Sequence, residues 1–138
     1  MATINDTTYP SGRSPVEYSF TVSRSQTSNA PVGLILPSGW VTTGTRVGGN
    51  VASNAGTSAV IAVGSTGGAS NATVSTAGEF ISAYDVKSNG AIFAIPSTVK
   101  ALGTTLSVPA PLTAFYQESG TASTTGGPWT VVISGYLA

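Results

Sequence analysis

An antiparallel β-sandwich or jelly roll of about eight strands is the fold class that this sequence predicts. Three observations carry it. Apolar residues recur with a period of two in several short runs. Turn-forming Gly, Pro, Asn and Ser punctuate the chain at intervals of about ten residues. No stretch of about ten residues has the apolar spacing of an amphipathic helix.

The elements follow in order. Residues 1–15 carry Pro10, Gly12 and Pro15 and read as an extended N-terminal arm; residues 16–138 read as one β-sandwich domain. In Val16–Arg24, Val16, Tyr18, Phe20 and Val22 share one face, and Glu17, Ser19, Thr21 and Ser23 the other, which predicts a half-buried strand. Ser25–Ala30 is a polar turn. Pro31 opens the apolar run Val32–Leu36, suited to a buried strand. Pro37-Ser38-Gly39 is a turn, and Trp40–Thr43 starts another strand. Gly44–Gly56 and Gly64–Asn71 read as long loops flanking a strand at Ser58–Val63.

From Glu79 the alternation returns, with Phe80, Ser82, Tyr84 and Val86 on one face and Glu79, Ile81, Ala83, Asp85 and Lys87 on the other. Asn89-Gly90 then separates this run from Ala91–Ile95. Both residues accept positive φ, so a hairpin is expected over 79–95. Pro96–Gly103 suits one helical turn, with Ser97 as N-cap and Gly103 past its end. Thr104–Val108 and Leu112–Gln117 read as strands separated by Pro109-Ala110-Pro111, and Ser119–Pro128 as a Gly/Ser/Thr loop. Trp129–Leu137 carries Val131, Val132 and Ile133 and so is apolar on both faces, which predicts a central strand.

Composition limits the chemistry. The 138 residues suit one domain. Five Lys/Arg balance five Asp/Glu, and only 7% of residues are charged, against about 25% in an average domain. Ser and Thr number 39, so the surface is mostly hydroxyl, amide and backbone. Such a surface resists close contact less than a charged one, a hint that an assembly covers much of it. With no Cys and no His there is no disulfide, thiolate nucleophile, imidazole base or ordinary zinc site. A neutral chain with scattered cations is not built to track phosphates, so no nucleic acid is expected. The longest apolar run is too short to span a bilayer, and the start lacks a secretory signal, so no membrane partner and a cytoplasmic origin are expected. In that setting the sequons at Asn5 and Asn71 read as chance.

The carboxylates Asp6, Glu17, Glu79, Asp85 and Glu118 form no evident catalytic or calcium-binding group. Glu79 and Asp85 lie too far apart along one strand to act as a pair. Asp85 and Lys87 read as a solvated ion pair, and Glu17 as an ordinary surface charge. Ser97 and Lys100 have a Ser-x-x-Lys spacing without companion motifs, and the N-cap role accounts for Ser97. The glycine runs at Gly44–Gly49 and Gly64–Gly68 lack the Lys and helix of a phosphate-binding loop. No catalytic, metal or cofactor-binding residue is therefore expected. Trp40, Trp129, Tyr9, Tyr116 and Tyr136 are candidates for a sugar-stacking platform, although aromatics in a β-sandwich belong mainly to its core.

The start Met-Ala-Thr-Ile-Asn-Asp, the Ser/Thr/Gly/Ala-rich β body without Cys or His, and the strand at Trp129–Ala138 together resemble the jelly-roll capsid cement or decoration proteins on the heads of tailed bacteriophages. The resemblance covers the whole chain and is one of style rather than of a diagnostic motif. It implies a non-enzymatic protein, a small homo-oligomer that binds junctions of a capsid lattice and resists internal pressure. The implied partner is the major capsid protein or another virion protein, and the implied location is the capsid surface of a virion assembled in the host cytoplasm. The arm is the contact element by this resemblance, with Ile4, Tyr9, Pro10 and Arg13 its contact residues. The competing reading is a receptor- or carbohydrate-binding β-sandwich of a phage tail fibre or surface protein, which needs aromatics clustered on one exposed surface.

Overall fold

The computed structural model describes residues 16–49, 51–65, 80–88, 103, 105–106 and 109–138. Seven strands run through them: β1 Val16–Val22, β2 Ala30–Leu36, β3 Trp40–Gly48, β4 Ser58–Ser65, β5 Ile81–Asp85, β6 Ala110–Ser119 and β7 Trp129–Leu137. They form two antiparallel sheets, one of three strands in the order β1-β7-β3 and one of four in the order β2-β6-β4-β5.

β4, β5 and β6 follow one another within the four-stranded sheet, and the other successive strands alternate between the sheets. Thr105 adds an isolated antiparallel bridge to Val41 on the free side of β3, supported by Leu106 N–H donating to the Trp40 carbonyl at 2.9 Å. With that segment beside β3, the two sheets have the strand order of a jelly roll, as the sequence predicts. The segment stands where Thr104–Val108 was expected to be a strand, and only this bridge falls among the described residues.

The central position of β7 follows from its composition. Trp129, Val131 and Ile133 face the other sheet and are fully buried, while Val132 on the opposite face is covered as well. The partners in β1 alternate as expected: Tyr18, Phe20 and Val22 turn inward, and Glu17, Ser19 and Thr21 outward. β1 stops at Val22, two residues short of the expected end, because Ser23–Gln26 closes a turn in which Gln26 N–H donates to the Ser23 carbonyl at 3.1 Å.

Three expectations need correction. β3 does not end at Thr43; it continues to Gly48 through what reads as loop. Thr42 pairs with Gly135 and Gly44 with Ser134, so Thr43 is the extra residue of a bulge. A bulge tolerates glycine and reverses the alternation, which hides the second half of the strand from a period-two test. Second, β2 is an edge strand rather than a buried one. Val32, Leu34 and Leu36 turn inward, whereas Ile35 is 57% exposed. An edge position also suits Pro31, which has no N–H to offer a second neighbour. Third, Ile81 is not on the outer face. A register irregularity between Ile61 and Val63 brings both Ile81 and Tyr84 into the core.

Asp85 and Lys87 form no direct salt bridge, although the Lys87 charge still favours the Asp85 carboxylate. The Asp85 carboxylate accepts the backbone N–H groups of Lys87 and Ser88 at 2.8 and 2.9 Å, closing a turn after β5. Burial works to raise its pKa, but the bonds from Ser88 and Lys87 outweigh this and hold it below the ordinary value. The Asn89-Gly90 turn, Ala91–Ile95 and the helical turn at Ser97 lie outside the described residues, as does the arm, 1–15.

Gly135 fixes the contact between β7 and β3. A Cβ there would meet the Val41 carbonyl oxygen and lie 2.5 Å from Trp40 Cζ2. The indole occupies that space, donates from Nε1 to Thr42 Oγ1 at 2.9 Å, and meets the ring of Tyr18 edge-on at 5.2 Å.

Candidate functional site

One end of the sandwich gathers three segments: the turn Ser23–Gln26, the stretch 51–57 and the loop 120–128. Each is polar, and the interest lies in how so polar a loop is fixed. β6 turns Ala110, Leu112, Ala114 and Tyr116 toward the core. Two residues on, the same face presents Glu118 at the rim of the core, where a carboxylate is half-buried.

Tyr116 stacks on Trp129 of the opposite sheet, with ring centroids 5.4 Å apart and planes within 11° of parallel. Its hydroxyl donates to Glu118 Oε1 at 2.6 Å and meets Ser53 Oγ at 2.7 Å. Ser123 gives Glu118 two more bonds, Oγ to Oε1 at 2.6 Å and N–H to Oε2 at 3.0 Å. Those from Ser123 and Tyr116 lower the Glu118 pKa, while burial, followed by the bond to Glu118, raises that of Tyr116. Three hydrogen bonds thus converge on the Glu118 carboxylate and anchor the loop to the end of the core.

The loop is also tied from its other flank. Asn54 Oδ1 accepts Thr124 N–H at 2.8 Å and Thr125 N–H at 3.0 Å, and its Nδ2 donates to Thr124 Oγ1 at 2.9 Å. Gly56 N–H donates to the Thr121 carbonyl at 2.8 Å, and Gly127 N–H to the Val51 carbonyl at 2.9 Å. Gly126 and Gly127, with φ of 139° and 63°, lead into a cis peptide at Pro128 and lie against Trp129, where a Cβ on Gly127 would be 2.9 Å from the indole. Arg24 reaches across from the β1–β2 turn, donating from Nη1 to the Ser123 carbonyl at 3.2 Å and from Nη2 to the Thr124 carbonyl at 3.1 Å. The result is a pinned loop with Thr121, Thr124 and Thr125 exposed on it, beside an open cleft of about 300 Å³ lined by Ser23, Arg24, Ser25, Gly126 and Pro128.

A second surface is the outer face of the three-stranded sheet. Glu17 of β1 and Arg46 of β3 reach across β7 and pair at 2.7 Å, with Ser134 Oγ donating to the same carboxylate oxygen at 3.1 Å. Glu17 is a surface charge on an edge strand, as expected, and has Arg46 and Ser134 as partners. Ser19, Thr21 and Thr130 flank this pair and leave the face rich in hydroxyls.

Of the residues singled out from sequence, Ile4, Tyr9, Pro10 and Arg13 lie outside the described residues, as do Glu79, Ser97 and Lys100. Trp40, Trp129 and Tyr116 are core residues and cannot serve a sugar-stacking platform; Tyr136 is half-buried, and Tyr9 lies outside the described residues. Among the described residues no three acidic side chains gather to hold a metal ion, and no helix is long and apolar enough to cross a membrane. The Arg24–Ser123–Glu118–Tyr116–Ser53 network was not foreseen. Arg24 and Ser123 are 99 positions apart, and no local pattern links them.

No protein-family model matches the sequence, and no curated protein is significantly similar to it. In fold, the chain is similar over 100% of its length to 93% of a chain from the capsid asymmetric unit of the cyanophage Pam1, with a TM-score of 0.50 and 20% sequence identity. The likeness is one of fold.

Proposed function

We propose that the protein is a non-enzymatic structural component of a bacteriophage virion, one that binds and stabilises the capsid lattice as a cement or decoration protein. The observation that carries this reading is the full-length fold similarity to a chain from a phage capsid. The sequence resemblance to cement proteins points the same way, and so does the shortage of charge, which leaves little repulsion against close contact.

In this reading the partner is the major capsid protein or another virion protein, the working form is a small homo-oligomer, and the location is the capsid surface. Contact is made by the N-terminal arm, with Ile4, Tyr9, Pro10 and Arg13, together with the hydroxyl-rich loop end. The pinned loop 120–128 supports the second element: its threonines are presented on a fixed backbone, so little ordering entropy is lost on contact. Binding of a neutral chain rests on short-range hydrogen bonds and small apolar contacts summed over many copies.

The test is cosedimentation with undecorated capsid shells at low and high salt, for the intact protein and for one lacking residues 1–12. Intact protein is expected to sediment with the shells at both salt concentrations, and the truncated one to bind less. Loss of binding at moderate salt would mark the attachment as electrostatic and refute this account. Equal binding by the truncated protein would remove the arm from the contact.

A further inference from the structure

The cleft beside loop 120–128 has an excess of hydrogen-bond donors. A guanidinium carries five N–H groups. In Arg24, Nη1 serves Ser123 and one Nη2–H serves the Thr124 carbonyl. The Nε–H and the second Nη2–H have no partner among the described residues, and together they form one edge of the fork that takes a carboxylate in two parallel bonds. Ser23 and Ser25 add to the excess. Their hydroxyls bond to each other at 2.8 Å, which uses one of their two hydrogens and leaves the other as a donor. The carbonyls of Ser23 and Ser25, by contrast, are already taken by the N–H groups of Gln26 and Thr27.

We propose that this cleft is a docking site for the carboxylate of an acidic side chain, Asp or Glu, on the protein surface to which the chain binds. The partner's identity as a virion protein rests on the function proposed above; the chemistry of the site does not. A volume of about 300 Å³ admits one side chain. Arg24 is already held in place by two loop carbonyls, so its fork is preorganised. Glu118, bonded to the same Ser123, offsets part of the Arg24 charge. That favours a singly charged planar carboxylate over a dianionic phosphate, and it keeps the site compatible with weak salt dependence.

The experiment is an NMR titration of the intact protein with N-acetylglutamate methylamide, its glutamine counterpart and inorganic phosphate. The glutamate probe is expected to shift the Arg24 Nε–H and the amides of Ser23, Ser25 and Gly126 to saturation, and the glutamine probe to leave them unmoved. Arg24→Gln should weaken the response by roughly tenfold or more, about 1.4 kcal/mol or above. Arg24→Lys, which keeps the charge but not the fork, should weaken it too, with the rest of the spectrum reporting an intact fold. Equal shifts with glutamine, or tighter binding of phosphate, would overturn the assignment to a carboxylate. Sedimentation of Arg24→Gln with shells tests the source of the ligand. Undiminished binding of that variant would overturn the lattice protein as the donor of the carboxylate. If the wild type itself ignores the shells, the proposed function fails, while the titration still decides the site.

Discussion

The hydroxyl of Tyr116 stands 2.6 Å from Oε1 of Glu118, two residues further along the same face of β6. A buried phenol thus reaches the end of the core through a carboxylate at its rim, and that carboxylate holds the neighbouring loop. Tyr116→Phe keeps the stack on Trp129 but leaves Ser53 and Glu118 without the hydroxyl. We expect a loss of about 1–2 kcal/mol by denaturant titration. An unchanged midpoint would remove the hydroxyl from the account of loop stability.

Acid should weaken the fold through the same carboxylate. Glu118 and Asp85 both have depressed pKa values in the folded chain, from ordinary values of 4.5 and 3.8. Their stabilisation is therefore complete above those ordinary values and is lost as pH falls through the lower folded ones. Melting temperature should hold from neutrality down to about pH 5 and drop below it. Glu118→Gln should melt lower at pH 7 and show a flatter acid limb. An acid limb identical to that of the wild type would show that Glu118 does not contribute.

Gly135→Ala should be among the most damaging single-methyl additions in the chain. The new Cβ meets a backbone carbonyl on one side and a buried indole on the other, and neither can move without shifting β3. The cost expected is about 2–4 kcal/mol, read by denaturant titration. Gly44→Ala, with open space around the position, is the control and should cost much less.

The Glu17–Arg46 pair predicts little, and that is informative. Its side chains are 56% and 41% exposed, so water and salt screen the attraction. Glu17→Gln should change stability by roughly 0.2–1 kcal/mol at low salt and less at high salt. A larger effect would mean that the outer face of this sheet is covered in solution.

A chelator should leave the melting temperature unchanged. The chain has no Cys or His, and the carboxylates of Glu17, Asp85 and Glu118 are already occupied by Arg46, by backbone amides and by hydroxyls. A fall of several degrees on chelation would overturn this.

Strands whose two faces differ in polarity were legible in the sequence, as β1 shows, and so was a strand apolar on both faces, as β7 shows. Legibility failed where geometry breaks the period. The Thr43 bulge reverses the faces of β3, and the irregularity before Val63 brings Ile81 inward. Ile35 disguised β2 because an edge strand can leave a large apolar side chain in water, so apolar spacing alone overstated its burial. The loop network was beyond reach for another reason. Glu118 looked like an isolated acid, and its partners Ser53, Ser123 and Arg24 meet only once both sheets are formed.

The three-stranded sheet also has a history in time. β1 and β3 share no ladder; each finds its hydrogen-bonding neighbour in β7, and Glu17 and Ser134 are 117 positions apart. No local step can assemble this sheet. Its closure costs the entropy of a long loop before any backbone bond repays it, which places folding in the slow range of roughly milliseconds to seconds. Until β7 arrives, β1 and β3 have open edges that a neighbouring chain's β7 fits as well as their own. Refolding at high concentration should therefore yield chains that have exchanged β7, whereas refolding in dilute solution yields chains closed on their own β7.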